Sequence, residues 1–147
     1  MQRRQFLMQL TSTLVLSLLL PLKAVAAIWN KAAFDAMNIK DAKKNLAIDR
    51  ETPSQDIIII APDKAENGSI VQVKIQSKIP NTEAIAIFVE KNPTTLIGNY
   101  MLSHGAQADI ITRIKMAESD HVKVVVKAGN QYYTHQKFVE VLSNGCG

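Results

Sequence analysis

Residues 121–142 read HVKVVVKAGNQYYTHQKFVEVL, two strand-like runs joined at Gly129-Asn130. A two-residue loop of this composition between alternating runs is a good local signal for a β-hairpin. The pair closes an antiparallel arrangement, so the rest of the chain is read back from it.

Upstream the same period recurs. Residues 109–116 alternate, with Ile110, Thr112, Ile114 and Met116 on one side and Ile111, Arg113 and Lys115 on the other. Residues 96–102 form a weaker strand that ends in the turn Ser103-His104-Gly105. In 84–90, Ile85, Ile87 and Val89 share one face, and Asn92-Pro93 stops the run. Val71, Val73 and Ile75 alternate with Gln72, Lys74 and Gln76. Four consecutive isoleucines, Ile57, Ile58, Ile59 and Ile60, suit a strand buried on both faces, and residues 63–68 make a turn. About seven short strands separated by turn signals predict an all-β, immunoglobulin-like β-sandwich over residues 51–142.

Residues 27–50 read as a short helical N-terminal segment. Trp29, Ala32, Ala33, Ala36 and Met37 recur at helical spacing over 28–37. Asn38 can cap a second helix over 40–45, with Asp41 three residues after the cap. Glu51-Thr52-Pro53-Ser54 is a breaker-rich connection.

Residues 1–26 carry a different message. Arg3-Arg4 is followed by Phe6-Leu7, an uncharged apolar run to Leu22, and Lys23-Ala24-Val25-Ala26. This is the pattern of a twin-arginine export signal with an A-x-A cleavage site after Ala26. Gln5, Gln9, Thr11, Ser12, Thr13 and Ser17 dilute the run, which favours a removed leader over a stable membrane anchor. The expected destination is the periplasm, reached in folded form. The chain has 17 Lys+Arg against 13 Asp+Glu, but Arg3, Arg4 and Lys23 leave with the leader. The remainder is nearly neutral and has no basic cluster of the kind nucleic acid requires.

The single cysteine, Cys146, stands between Gly145 and Gly147 in the segment 143–147. Glycines bring no side chains to cover it, so the expectation is an exposed thiol on a flexible arm, with Asn144, Gly145 and Gly147 supplying the freedom. From the end of the last strand, residues 143–146 reach at most about 13–14 Å. An unpaired cysteine in an oxidising compartment is expected to react or to bond another chain. The nearest basic residue in sequence is Lys137, whereas the carboxylate of Gly147 opposes a thiolate beside it. The free protein is therefore expected to hold an unactivated thiol that client enzymes must ionise or oxidise.

Other chemistry is sparse. His104, His121 and His135 lie on different elements without ligand spacing, and Met101 and Met116 read as strand residues that fill cores. Glycine-rich phosphate loops, nucleophile elbows and Cys-x-x-Cys pairs are absent, and Glu83, Glu90 and Asp109 are scattered. No catalytic residue, resident metal or cofactor is expected, and the protein reads as something acted upon rather than an enzyme.

The ending Asn144-Gly145-Cys146-Gly147 resembles the GGCGG terminus of the SoxY family, carriers of the periplasmic thiosulfate-oxidising system. Ile60-Ala61-Pro62 with Ala65-Glu66-Asn67-Gly68, Phe88-Val89-Glu90-Lys91-Asn92-Pro93, and Thr112-Arg113-Ile114-Lys115-Met116-Ala117 resemble that family's blocks in the same order. The resemblance implies an immunoglobulin-like sandwich paired with a SoxZ-like β-sandwich subunit as a heterodimer. It also implies sulfur intermediates held covalently on Cys146. A SoxAX-like haem enzyme would join thiosulfate to the thiol, and a SoxB-like hydrolase would release sulfate. Asn144 departs from the family's glycine, and one glycine rather than two follows the cysteine. Two other readings stay open: an interaction module that dimerises through a Cys146 disulfide, and a copper carrier using Cys146 with histidine or methionine ligands.

Overall fold

The structure is a computed structural model that describes residues 30–103 and 105–142. Among the described residues, two short helices, α1 (Lys31–Phe34) and α2 (Ile39–Asn45), precede nine strands. These are β1 (Thr52–Pro53), β2 (Ile57–Ile60), β3 (Lys64–Ala65), β4 (Val71–Ser77), β5 (Thr82–Val89), β6 (Leu96–Met101), β7 (Asp109–Ile114), β8 (Asp120–Ala128) and β9 (Gln131–Val141).

Six strands make one sheet in the order β1-β9-β8-β5-β6, with β3 also paired to β9, and β2-β4-β7 make the second. The hairpin expected around Gly129-Asn130 is the β8–β9 pair, with Ala128 opposite Gln131 and Gly129 at φ +59. A glycine at the first central position supplies the positive φ that a tight hairpin turn demands. The sandwich is thus as expected, with nine strands in place of about seven. The two additional ones are two-residue parallel pairings on the outer edge of β9, Thr52 opposite Tyr133 and Lys64 opposite Glu140. Thr52–Pro53 had been read as a breaker. A proline is compatible with an edge strand because no ladder partner needs its missing N–H.

The isoleucine run departs further from expectation. Ile57 is buried, but Ile60 is 53% exposed, because β2 is an edge strand of the smaller sheet. The strand buried on both faces is β5. Its Ile85, Ile87 and Val89 join Val73, Ile75, Val122, Val124 and Val139 in the core between the sheets. Its Ala86 and Phe88 face the other way, into a second core with Val125, Leu96, Ala33 of α1, Ala42 of α2 and Ala36 between the helices. Tyr100 closes the open side of the sandwich, its hydroxyl 3.1 Å from the Thr112 hydroxyl.

The helices are short for local reasons. α1 starts at Asn30, whose side chain accepts from Ala33 N–H, and spans four residues rather than 28–37. Asn38 caps α2 by accepting from Asp41 N–H while its amide donates to the Asp41 carboxylate, as its spacing implied. α2 ends in a Schellman turn. Ala47 N–H donates to Lys44 and Ile48 N–H to Lys43, with Ala47 in the left-handed region at φ +57. A non-glycine residue there carries strain of roughly 1 kcal/mol.

One three-part ion pair fastens this helical segment to the sheet. Glu51 accepts from Lys43 of α2 and, at 2.8 Å, from Lys123 of β8, with its side chain only 11% exposed. Burial alone would push the Glu51 carboxyl up. The hydrogen bonds and charges of Lys123 and Lys43 more than offset it and hold the carboxyl below the usual carboxylate range.

Candidate functional site

The residue on which the sequence reading concentrates, Cys146, lies outside the described residues, as do Asn144, Gly145 and Gly147, the leader residues Arg3, Arg4, Phe6 and Leu7, and His104. What the fold shows is the platform to which the C-terminal segment is attached.

β9 is pinned up to its last residues. Glu140 N–H donates to Asp63 carbonyl, and Leu142 N–H to Ala65 carbonyl, both at 2.9 Å. Val141 N–H donates to the Ser119 hydroxyl at 2.8 Å. Leu142 itself is 59% exposed, so the chain leaves the sandwich at its surface.

Around this root, connecting segments are stitched by two buried polar side chains. Asn92, 9% exposed, donates to Lys115 carbonyl at 2.7 Å and accepts from Ala117 N–H at 2.8 Å. Asp120, also 9% exposed, accepts from Lys91 N–H at 2.9 Å and from His121 N–H at 2.7 Å. Met116 N–H closes the ring on Gly68 carbonyl. A backbone held by buried side-chain hydrogen bonds is expensive to move, since each unmade bond leaves a desolvated group unpaired.

The platform's charges are matched in pairs. Lys64 meets Glu140 at 3.0 Å, Lys137 meets Asp63 at 3.0 Å, and Lys91 meets Glu118 at 3.3 Å. His121 stacks edge-on against Phe138, centroids 5.2 Å apart, on the outer face of the larger sheet. His135 lies farther along β9, opposite Val124. Met116 is fully buried near the root, whereas Met101 is exposed at the other end of the sheet, opposite Ala84. Among the described residues, no three of His, Cys, Asp and Glu come together as a metal site requires. No helix among them is long and apolar enough to cross a membrane.

The sequence reading missed Asn92, Ser119 and Asp120. Asn92-Pro93 registers only as a strand stop, and an isolated Ser-Asp pair carries no periodicity. The structure nonetheless gathers the stretches on which the family likeness rests. Residues 60–68 lead to β3 and the β9 end, residues 88–93 hold Asn92, and residues 112–117 supply its backbone partners. Three separate stretches converge on the place where the C-terminal segment departs.

The family described as "Sulfur oxidation protein SoxY" matches residues 43–146. Among solved structures, the chain is similar to the sulfur carrier protein SoxY from Chlorobium limicola f thiosulfatophilum. The TM-score is 0.65 and the identity 28%, covering 71% of this chain and 96% of the other. No curated protein sequence matches this chain.

Proposed function

The chain belongs to the SoxY family of sulfur oxidation proteins, and we propose from that premise that it is a sulfur carrier holding its cargo covalently on the Cys146 thiol. The observation that carries this reading is the convergence of the family-like stretches on the root of the segment bearing Cys146, where they form a platform held by buried hydrogen bonds.

The chemistry is written on the thiol. In loading, the Cys146 S–H proton is lost and an S–S bond forms to the outer sulfur of thiosulfate. Two electrons pass to a haem enzyme, leaving an S-thiosulfonate. In unloading, water supplies the oxygen of the departing sulfate, and Cys146 keeps the outer sulfur as a persulfide. The carrier contributes position, and its partners contribute the oxidant, the hydrolase and a SoxZ-like subunit that shares the complex. Glycines beside the sulfur keep the arm narrow, so a client site must admit little beyond backbone. Ordering such an arm costs entropy at each visit, which favours weak and reversible docking. The Arg3-Arg4 leader supports delivery to the periplasm by the twin-arginine route.

Intact mass spectrometry of the protein purified without reductant from its native source tests this reading. A sulfur-bearing adduct on Cys146 that is removed by dithiothreitol and absent in Cys146→Ser is expected. A Cys146 disulfide dimer as the sole modification, or stoichiometric copper lost in Cys146→Ser, would overturn it.

A further inference from the structure

The sandwich is closed unevenly along its two long sides. Beside β9, the chain crosses between the sheets before and after β2, placing β1 and β3 against β9's outer edge. On the opposite side β6 and β7 end their sheets, and no described strand pairs with the outer edge of either. The two free edges differ. β6 is paired to β5 through a register shift between Ile87 and Phe88, and a bulge of this kind twists a strand away from further pairing. β7 pairs with β4 in unbroken register, from Ile114 opposite Val71 to Asp109 opposite Gln76.

We propose that β7 is a docking edge for a second copy of this chain, added antiparallel about a two-fold axis at Ile111. The phase of the β4–β7 ladder decides which backbone groups are available. Ser77 N–H donates to the Ala108 carbonyl at 2.8 Å, so the residues in step with Ala108, namely Ile110, Thr112 and Ile114, turn their backbone groups toward β4. Asp109, Ile111 and Arg113 turn theirs to the free edge, where strand addition can satisfy them.

Charge then chooses the register. Centring on Ile111 sets Asp109 opposite Arg113 of the copy at both ends and Ile111 against its own copy, a self-complementary pattern of the kind a two-fold interface requires. Centring on Asp109 or on Arg113 sets like charges face to face, which is destabilising. The registers between leave Arg113 opposite an uncharged residue. Each of the three side chains is open to a partner. Ile111 is 65% exposed on the outer face of the smaller sheet. Arg113 is exposed and forms no ion pair with a described residue. Asp109 receives Lys74 at 3.1 Å and Gln76 at 2.7 Å, both on Oδ2, which leaves Oδ1 to accept from the arriving guanidinium. On the inner face the same register sets Ile110 opposite Thr112 and Ile114 opposite Ala108, so it brings no charge into the core.

Such a pairing keeps both working ends clear. Lys115, whose carbonyl Asn92 holds in the platform, follows Ile111 by four residues, about 13–14 Å along a strand. In an antiparallel pair the two platforms lie toward opposite ends, and the pairing is independent of what Cys146 carries.

Sedimentation velocity of the full chain, purified in whatever processed form its host leaves, measures the association. A monomer–dimer equilibrium is expected, unchanged by dithiothreitol and unchanged in Cys146→Ser. Arg113→Asp alone and Asp109→Arg alone each set like charges opposite each other twice, and each should raise the dimer dissociation constant about ten-fold or more. Mixed in equal amounts, the two variants should dimerise about as well as the wild type, because every contact between positions 109 and 113 is again of opposite sign. Far-ultraviolet circular dichroism checks that both are folded. Should Asp109→Arg not fold, Ile111→Lys serves in its place as a second single variant, since it sets two ammonium groups against each other at the axis and should weaken the dimer as strongly. A chain that is monomeric at every concentration overturns the proposal, as does a dimer indifferent to the substitutions, a mixture that fails to recover, or a dimer lost in Cys146→Ser. Substitutions that spare self-association but weaken binding of a SoxZ-like subunit assign the edge to that subunit, and overturn it too.

Discussion

At the scale of single residues, the side chains that matter most for the shape of the working end are not the charged ones. Lys91 and Glu118 form an ion pair with both side chains about half exposed, and such pairs contribute less than about 1 kcal/mol because solvent already screens them. Asn92 is buried and holds two backbone groups, the Lys115 carbonyl and the Ala117 N–H. Asn92→Ala should therefore lower the free energy of unfolding by about 2–3 kcal/mol, and Lys91→Ala should barely change it. Urea titrations of the two variants check the contrast, and equal losses would contradict it. Composition alone singles out Cys146, which lies outside the described residues. The sequence is silent on Asn92, whose meaning depends on Lys115 and Ala117 arriving from another strand.

Among elements, the junction between the helical segment and the sheet rests on one carboxylate between two cations. Glu51 is held below the ordinary carboxylate range by Lys123 and Lys43 against the opposing effect of burial. A carboxyl depressed in the folded state contributes stability that is fully present above its unfolded value, about 4.3. That contribution fades as pH falls through the lower folded value. Glu51→Gln keeps the shape, removes the charge and leaves Lys43 and Lys123 facing each other. It should cost about 2–3 kcal/mol at neutral pH, somewhat below the roughly 3–5 kcal/mol of breaking a fully buried pair because Lys43 and Lys123 keep some exposure. The difference between wild type and variant should shrink as pH is lowered below 4.3. Urea midpoints at pH 7 and in acid measure both, and a gap that stays constant would remove Glu51 from this role. Element assignment by pattern worked where alternation had a single cause, as in β4, β7 and the β8–β9 hairpin. It failed where two faces were apolar. Four isoleucines look doubly buried yet lie on an edge, while β5, whose Ala84 and Ala86 look weak, is covered on both sides. The pairings of β1 and β3 were invisible because two-residue strands have no period to read.

Viewed as a whole molecule, the sandwich has two ends built from different residues. One end carries the Gly129-Asn130 turn and a groove beside Asn30. The other gathers Asn92, Asp120, Ser119 and the end of β9. In the proposed role, a sulfur held on Cys146 would reach no farther than about 13–14 Å from Leu142, so an enzyme acting on it would have to bring its own surface almost to this platform. A compact insertion between Pro93 and Thr94, which are exposed on the platform, should then stand in the enzyme's way. We expect it to lower the kcat/KM of loading about ten-fold or more, since small misplacements of a reacting atom cost that much or more. The same insertion at Gly129-Asn130 should leave loading unchanged. Lengthening the arm by eight Gly-Ser residues after Leu142 should restore the obstructed variant, because flexible linkers extend reach by roughly 5–6 Å times the square root of their length and add little closure entropy. Loading measured by intact mass against time distinguishes the three variants. If both insertions slow loading equally, or if the longer arm fails to restore the variant obstructed at Pro93-Thr94, the enzyme is not meeting the carrier at this end.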